Sequence, residues 1–190
     1  MTKATIFGRG NMGVAIADIL VAGGVEVSHI TTATESAIVD GDIVVLAVPY
    51  AALDGIVTKY GSQLGGRVVV DITNPLDFQT LKLVVPTDSS AAAKLSRQLP
   101  GSRVLKAFNT TFASALISKT VGPNPTTVLI AGDDADAKTA LASAVIDGGI
   151  EAFDSGDLTA ARELEAVGYL QLRLAMEHKI SFTGGFSLTK

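Results

Sequence analysis

The sequence predicts an α/β protein: a doubly wound, mostly parallel sheet with helices on both faces and a C-terminal helix. Three observations predict it. Apolar strand-like runs alternate with helical patterns along most of the 190 residues. The strand runs are continuous and β-branched rather than strictly alternating, as strands buried on both faces are. A G-x-G-x-x-G string at residues 8–13 stands directly between the first strand and the first helix.

Residues 4–7 read as the first strand, and the glycine turn opens an amphipathic helix over 11–22 that Gly23-Gly24 ends. A second strand covers 25–30, and a third, 43–48, is closed by Pro49. The short segment 50–57 reads as helical. The fourth strand, 68–71, runs into Asn74-Pro75, and a longer loop follows, with 78–87 unassigned. A helix over 90–98 takes Ser89 or Ser90 as its cap. Further strands fall at 104–107, 127–131 and 150–153, with a helix over 134–146 between the last two. The final helix spans 157–178, and the tail 181–190, with its Gly184-Gly185 pair, is expected to be loosely held. Residues 1–156 thus form one Rossmann-type nucleotide-binding domain. Residues 157–190 are a helix and tail packed on it, not an independent domain.

Composition narrows the chemistry. With 47% hydrophobic and 18% charged residues the chain is not disordered. The absence of Cys excludes disulfides, a thiolate nucleophile and Cys-ligated metal. Only His29 and His178 supply imidazoles, so no metal site is expected. The longest apolar stretch, 43–53, is far short of the ~20 residues that span a bilayer. The opening MTKATIFGRG has no basic leader, which carries the expectation of a cytoplasmic protein with no membrane partner. The formal charge is −4, and residues 133–165 hold nine acids against Lys138 and Arg162. Residues 1–132 hold nine acids and ten bases without a basic stripe, so no nucleic-acid partner is expected. A polyphosphate ligand finds this N-terminal part the less repulsive one.

The glycine string supplies the binding hypothesis. Gly8 permits the tight turn, Gly10 lets a pyrophosphate approach the backbone, and Gly13 lets helix pack on strand. The helix start, at Asn11 and Met12, then offers N–H groups to phosphates. The end of the second strand chooses the cofactor. An NAD site has an acid there for the ribose 2′-OH, but this strand ends Ser28-His29-Ile30-Thr31-Thr32, with no acid before Glu35. Thr31 and Thr32 can donate to a 2′-phosphate, and Arg9 projects from the turn on the adenosine side; His29 is a further candidate partner, though a strand residue of this kind is more often simply packed. The expected cofactor is therefore NADP (NADPH).

Beyond the turn, the chain carries several distinctive blocks. They include Leu46-Ala47-Val48-Pro49-Tyr50, Asp71-Ile72-Thr73-Asn74-Pro75-Leu76 and Lys106-Ala107-Phe108-Asn109-Thr110. Asp154-Ser155-Gly156-Asp157-Leu158 and Ala161-Arg162-Glu163-Leu164-Glu165 follow. With these blocks the sequence resembles the coenzyme F420-dependent NADP oxidoreductase family, and also the NADPH-binding domain of the STEAP metalloreductases. The resemblance implies that Val48, Pro49 and Tyr50 line the dinucleotide between its phosphates and nicotinamide. It also puts Asn74 and Asn109 at the crevice, Asn109 toward the substrate. Asn74-Pro75 also reads as a plain turn, Asn109 as a helix cap, and Lys106 as a strand-end surface lysine. Where the family commonly ends its second strand in Ser-Arg, this chain has Thr31-Thr32, and the helix that normally follows is nearly deleted.

The implied reaction is hydride transfer between nicotinamide and a small planar electron acceptor, F420 or a flavin. Such chemistry asks the protein to stack two rings and exclude water, so no side chain is assigned a catalytic role. The alternative is a non-enzymatic NADP(H)-binding sensor. Along the final helix, Leu164, Val167, Leu170 and Leu174 form one apolar stripe and Tyr169, Leu172 and Met176 another. One core covers one stripe, and the resembled enzymes are dimers, so a homodimer is expected.

Overall fold

In the computed structural model, which describes residues 2–34, 37–77 and 79–189, the chain begins β1 (Lys3–Phe7), α1 (Asn11–Ala22), β2 (Glu26–Ile30) and β3 (Ile43–Leu46). It continues through α2 (Leu53–Leu64), β4 (Val68–Asp71), a hairpin of β5 (Leu76–Asp77) and β6 (Lys82–Leu83), and α3 (Ala91–Gln98). Next come β7 (Arg103–Lys106), α4 (Ala113–Ser118) and a second hairpin of β8 (Thr120–Val121) and β9 (Asn124–Pro125). The last elements are β10 (Thr127–Gly132), α5 (Ala135–Asp147), β11 (Glu151–Asp154) and α6 (Ala161–Met176).

Seven strands form one sheet in the order β11-β10-β7-β4-β3-β1-β2. The chain moves outward from β1 to β2, then returns to β3 on the other side of β1 and continues away from it. That reversal opens a crevice at the carboxyl ends of β1 and β3. The pairings are parallel except β10 with β7. There Ala131 faces Lys106 and Gly132 faces Leu105, so most of β10 lies past the carboxyl end of β7.

β3 and β4 are buried at every residue, as their unbroken apolar runs require. One face of the sheet packs on α1, α4 and α5 through Ile16, Leu20, Leu116 and Leu141. The other packs on α2, α3 and the start of α6 through Leu64, Leu95 and Ala161. Burying Ile16, Ile19 and Leu20 contributes ~1.5–3 kcal/mol per side chain. That packing fixes the N-terminus of α1 at the crevice.

Several expectations are corrected. β3 stops at Leu46, because Ala47 and Val48 leave the ladder on the way to Pro49. The helix after Pro49 is longer than expected: a 3₁₀ turn, Tyr50–Ala52, runs into α2. Phe78 lies outside the described residues; further along the loop it opens, β6 pairs with β5. The tail is tied down, with the Ser187 hydroxyl donating to Pro125 O at 2.7 Å and the Phe186 N–H to Gln171 Oε1 at 3.1 Å.

The final helix also differs. It starts as a 3₁₀ turn, Leu158–Ala160, capped by Asp157, and then becomes α6. Its inward face is Ala161, Leu164, Glu165, Gly168, Gln171 and Ala175, a small and polar stripe at 3–4 residue spacing. The expected apolar stripe is therefore split. Leu164 is buried, Val167 and Leu174 are half-buried, and Leu170 is 46% exposed. No helix among the described residues is long and apolar enough to cross a membrane.

Candidate active site

The glycine turn is built by close approach. Gly8 has φ +100°, and a Cβ there would strike the Ala47 carbonyl oxygen. Its N–H donates to Ile30 O at 2.8 Å, and its carbonyl oxygen lies 2.9 Å from His29 Nδ1. Of the two readings of His29, the packed strand residue is the one seen here: its ring holds the turn. A Cβ on Gly13 would stand 2.7 Å from Gly8 O, so this glycine lets α1 pack on the turn. A Cβ on Gly10 meets nothing within 4 Å. Gly10 is also the N-cap of α1, with no side-chain cap and no acid in the first turn. The helix dipole and the first N–H groups are left for an anion in that open space. The turn fits a dinucleotide pyrophosphate.

Two cavities flank the turn. One, of ≈390 Å³, brings Arg9, Thr31, Thr32 and Val48 together between the end of β2 and α2. Val48, expected between the phosphates and the nicotinamide, thus lines the cavity at the end of β2, while Pro49 and Tyr50 line neither cavity and the Tyr50 ring lies 5.7 Å from Lys94 Nζ. Lys59 of α2 does line the first cavity, and the sequence reading missed this residue. A lysine on the exposed side of a helix carries no local signal of what it faces.

The other cavity, of ≈490 Å³, brings Asn11 and Met12 of α1 together with Asn74 and Asn109. Asn74 Nδ2 donates to Asn109 O at 2.9 Å, and Asn109 Nδ2 donates to Asn74 Oδ1 and Leu164 O, each at 2.9 Å. Asn109 Oδ1 is buried and has no donor among the described residues. Asn109 follows Phe108, which is fully buried at φ +63°, a conformation that costs a bulky residue energy and is held only by its surroundings. Gly168 of α6 packs beneath the pair: a Cβ there would lie 2.5 Å from Asn74 Oδ1 and 2.7 Å from Asn109 O. Gln171, Leu172, Phe112 and Phe182 complete the wall, with the two phenylalanine rings 5.2 Å apart. Among the described residues, none that lines this cavity is ionisable. Gly168 and Gln171 were legible in principle, through the small and polar stripe on the last helix.

Beneath these loops lies a buried charge cluster. Lys106 is not a surface lysine. Its Nζ sits 2.9 Å from Asp71 Oδ2 and 2.8 Å from Glu165 Oε1, and all three side chains are 0% exposed. Lys106 also donates to Thr73 O, and Asp71 Oδ1 accepts the Thr73 N–H at 2.8 Å. The loop that carries Asn74 is therefore clamped from below. Glu165 accepts the Ala91 N–H at the start of α3, at 2.9 and 3.1 Å from its two oxygens. Burial pushes the Glu165 carboxyl above the ordinary glutamate value, against the pull of Lys106 and the Ala91 N–H.

The profile of the family described as NADP oxidoreductase, coenzyme F420-dependent, matches residues 25–75. The chain is 30% identical to the F420-dependent NADP reductase of Methanocaldococcus jannaschii over 173 residues, covering 88% of this chain and 77% of that protein. It is 32% identical over 154 residues to the metalloreductase STEAP3 of Rattus norvegicus, covering 78% of this chain and 29% of that protein. A crystal structure from Arthrobacter sp. FB24, provisionally described as an F420-dependent NADP-reductase, superposes with a TM-score of 0.87. It is 25% identical, and the match covers 100% of both chains.

Proposed function

The chain belongs to the F420-dependent NADP reductase family, a family of NADP-dependent oxidoreductases, and from that premise we propose that it transfers a hydride between NADP(H) and a planar acceptor, F420 or a flavin. The observation that carries this reading is the pair of cavities joined by the glycine turn. The one beside Asn74 and Asn109 is walled by amides and aromatic rings, with no ionisable group among the described residues. A reaction that needed a general acid or base would find none there. When bound, NADP(H) supplies or takes up the hydride, and the acceptor takes or returns it.

The residues divide the remaining work. Gly8, Gly10 and Gly13, with the N–H groups at Asn11 and Met12, hold the pyrophosphate. Arg9, Thr31, Thr32 and Val48 hold the adenosine end, and Pro49 and Tyr50 fix the chain just beyond it. Asn74 orients the nicotinamide end. Asn109 faces the substrate, and its unpaired Oδ1 is an acceptor for an amide or ring N–H. Phe112, Leu172 and Phe182 exclude water from the reacting rings. The reading takes the protein to be cytoplasmic and homodimeric, acting on small molecules.

Stopped-flow oxidation of bound NADPH against F420, FMN, FAD and a quinone panel tests it. Rapid single-turnover oxidation by F420 or a flavin is expected. Bound NADPH that none of these oxidises would overturn the assignment of the acceptor.

A further inference from the structure

A 2′-phosphate carries about two negative charges, and hydroxyls alone do not neutralise them. The end of β2 offers only the hydroxyls of Thr31 and Thr32 to the adenosine-side cavity. Among the described residues, that cavity nevertheless has two cations on its wall, Arg9 from the glycine turn and Lys59 from α2, and no carboxylate. Among the described residues neither cation is in an ion pair, whereas Lys3, Lys94, Lys106 and Lys138 each hold a carboxylate. The one carboxylate on α2, Asp54, is engaged by Lys94 at 2.7 Å and by Gln98 at 3.0 Å. Among the described residues, Lys59 is therefore a charge without a counter-charge.

Its placement is also fixed. Ala52, at the end of the preceding 3₁₀ turn, and Gly55, Ile56 and Lys59 of α2 recur at 3–4 residue spacing, so they face the cavity as one stripe. A Cβ on Gly55 meets nothing within 4 Å, which leaves room for a flat base beside the helix. The Lys59 ammonium lies 5.1 Å from the centre of the Tyr60 ring. That ring is itself buried and held edge-on to Phe7 at 5.0 Å. The ammonium is thus biased toward the cavity side of the helix before any ligand arrives.

We propose that Lys59 binds the 2′-phosphate of NADP(H), acting with Arg9 as a two-cation clamp that selects it over NAD(H). The clamp supplies from α2 the positive charge that the end of β2 lacks. This inference rests on the dinucleotide reading above, and the experiment separates the two.

Calorimetric titrations of the wild type, Lys59→Met and Lys59→Arg use four ligands: NADPH, NADH, adenosine 2′,5′-bisphosphate and 5′-AMP. Lys59→Met is expected to weaken NADPH and the bisphosphate about tenfold or more. NADH and 5′-AMP should change less than about twofold, and Lys59→Arg should keep most of the preference. Unchanged NADPH binding in Lys59→Met would overturn the clamp. So would equal losses for all four ligands, because Lys59 would then act on the adenosine or on the fold. A folded wild type that bound neither NADPH nor NADH would instead overturn the dinucleotide reading itself.

Discussion

A methyl group added at Gly10 would enter open space, whereas one at Gly8 would strike the Ala47 carbonyl. Gly10→Ala should therefore melt at the wild-type temperature yet lose about tenfold in dinucleotide affinity, ~1.4 kcal/mol, as its Cβ takes the space of the pyrophosphate. Unchanged affinity by calorimetry would make the turn a purely structural device. The glycine string was legible because its meaning is local: three glycines, one strand, one helix. The buried cluster was not. Lys106 and Asp71 are 35 residues apart in sequence, and Glu165 reaches an N–H 74 residues away. No window on the sequence joins them.

Glu165 also makes a pH prediction. Its folded value stands above its unfolded one, ~4.3, so its contribution to stability is fully present below that unfolded value. The contribution is lost as pH rises through the raised folded value. Glu165→Gln keeps a neutral side chain throughout and lacks that loss. Denaturant titrations between about pH 4 and 8 should show the variant gaining on the wild type as pH rises. A constant difference would refute the assignment.

At the scale of elements, α1 and β4 match the sequence reading residue for residue, because strong periodicity and glycine stops mark them. Ser90 caps α3, accepting the Ala93 N–H at 3.0 Å, as one of the two serines had to. The two-residue strands of both hairpins and the six-residue α4 carry too little periodicity to be seen. The reversed direction of β10 is a property of topology rather than of its own residues. For α6, apolar spacing pointed to the wrong face, since a helix can be buried by its smallest residues where backbone must come close. Gly168→Ala tests that contact. Its Cβ cannot coexist with the present positions of Asn74 and Asn109, so the pair must shift. The expected outcome is a loss of ~1–3 kcal/mol in stability. Single-turnover hydride transfer should fall up to about 100-fold while NADPH affinity is nearly kept. Wild-type turnover in the variant would show that the amide pair does not position the reactants.

For the whole molecule, the outward side of α6 remains to be covered: Leu170 is 46% and Met176 41% exposed, with Phe182, Phe186 and Leu188 of the tail also exposed. A homodimer would bury them at ~25 cal/mol per Å². Light scattering should give a mass near twice 19.5 kDa, and Leu170→Glu should release a folded monomer. A wild-type mass of one chain would end the proposal. Leu172, earlier grouped with Met176, lines the acceptor cavity and is unsuitable for that test.

Residues more than 150 positions apart meet in one crevice, and this divides the site between two parts of the fold. The nucleotide cradle is made from the ends of β1 and β2, Val48 and one face of α2. Gly168, Gln171 and Phe182, which line the acceptor cavity, come from α6 and the segment after it. On the proposed reading, a small shift of α6 would resize the acceptor's place and leave the nucleotide cradle as it is, so the two affinities can be tuned independently of each other.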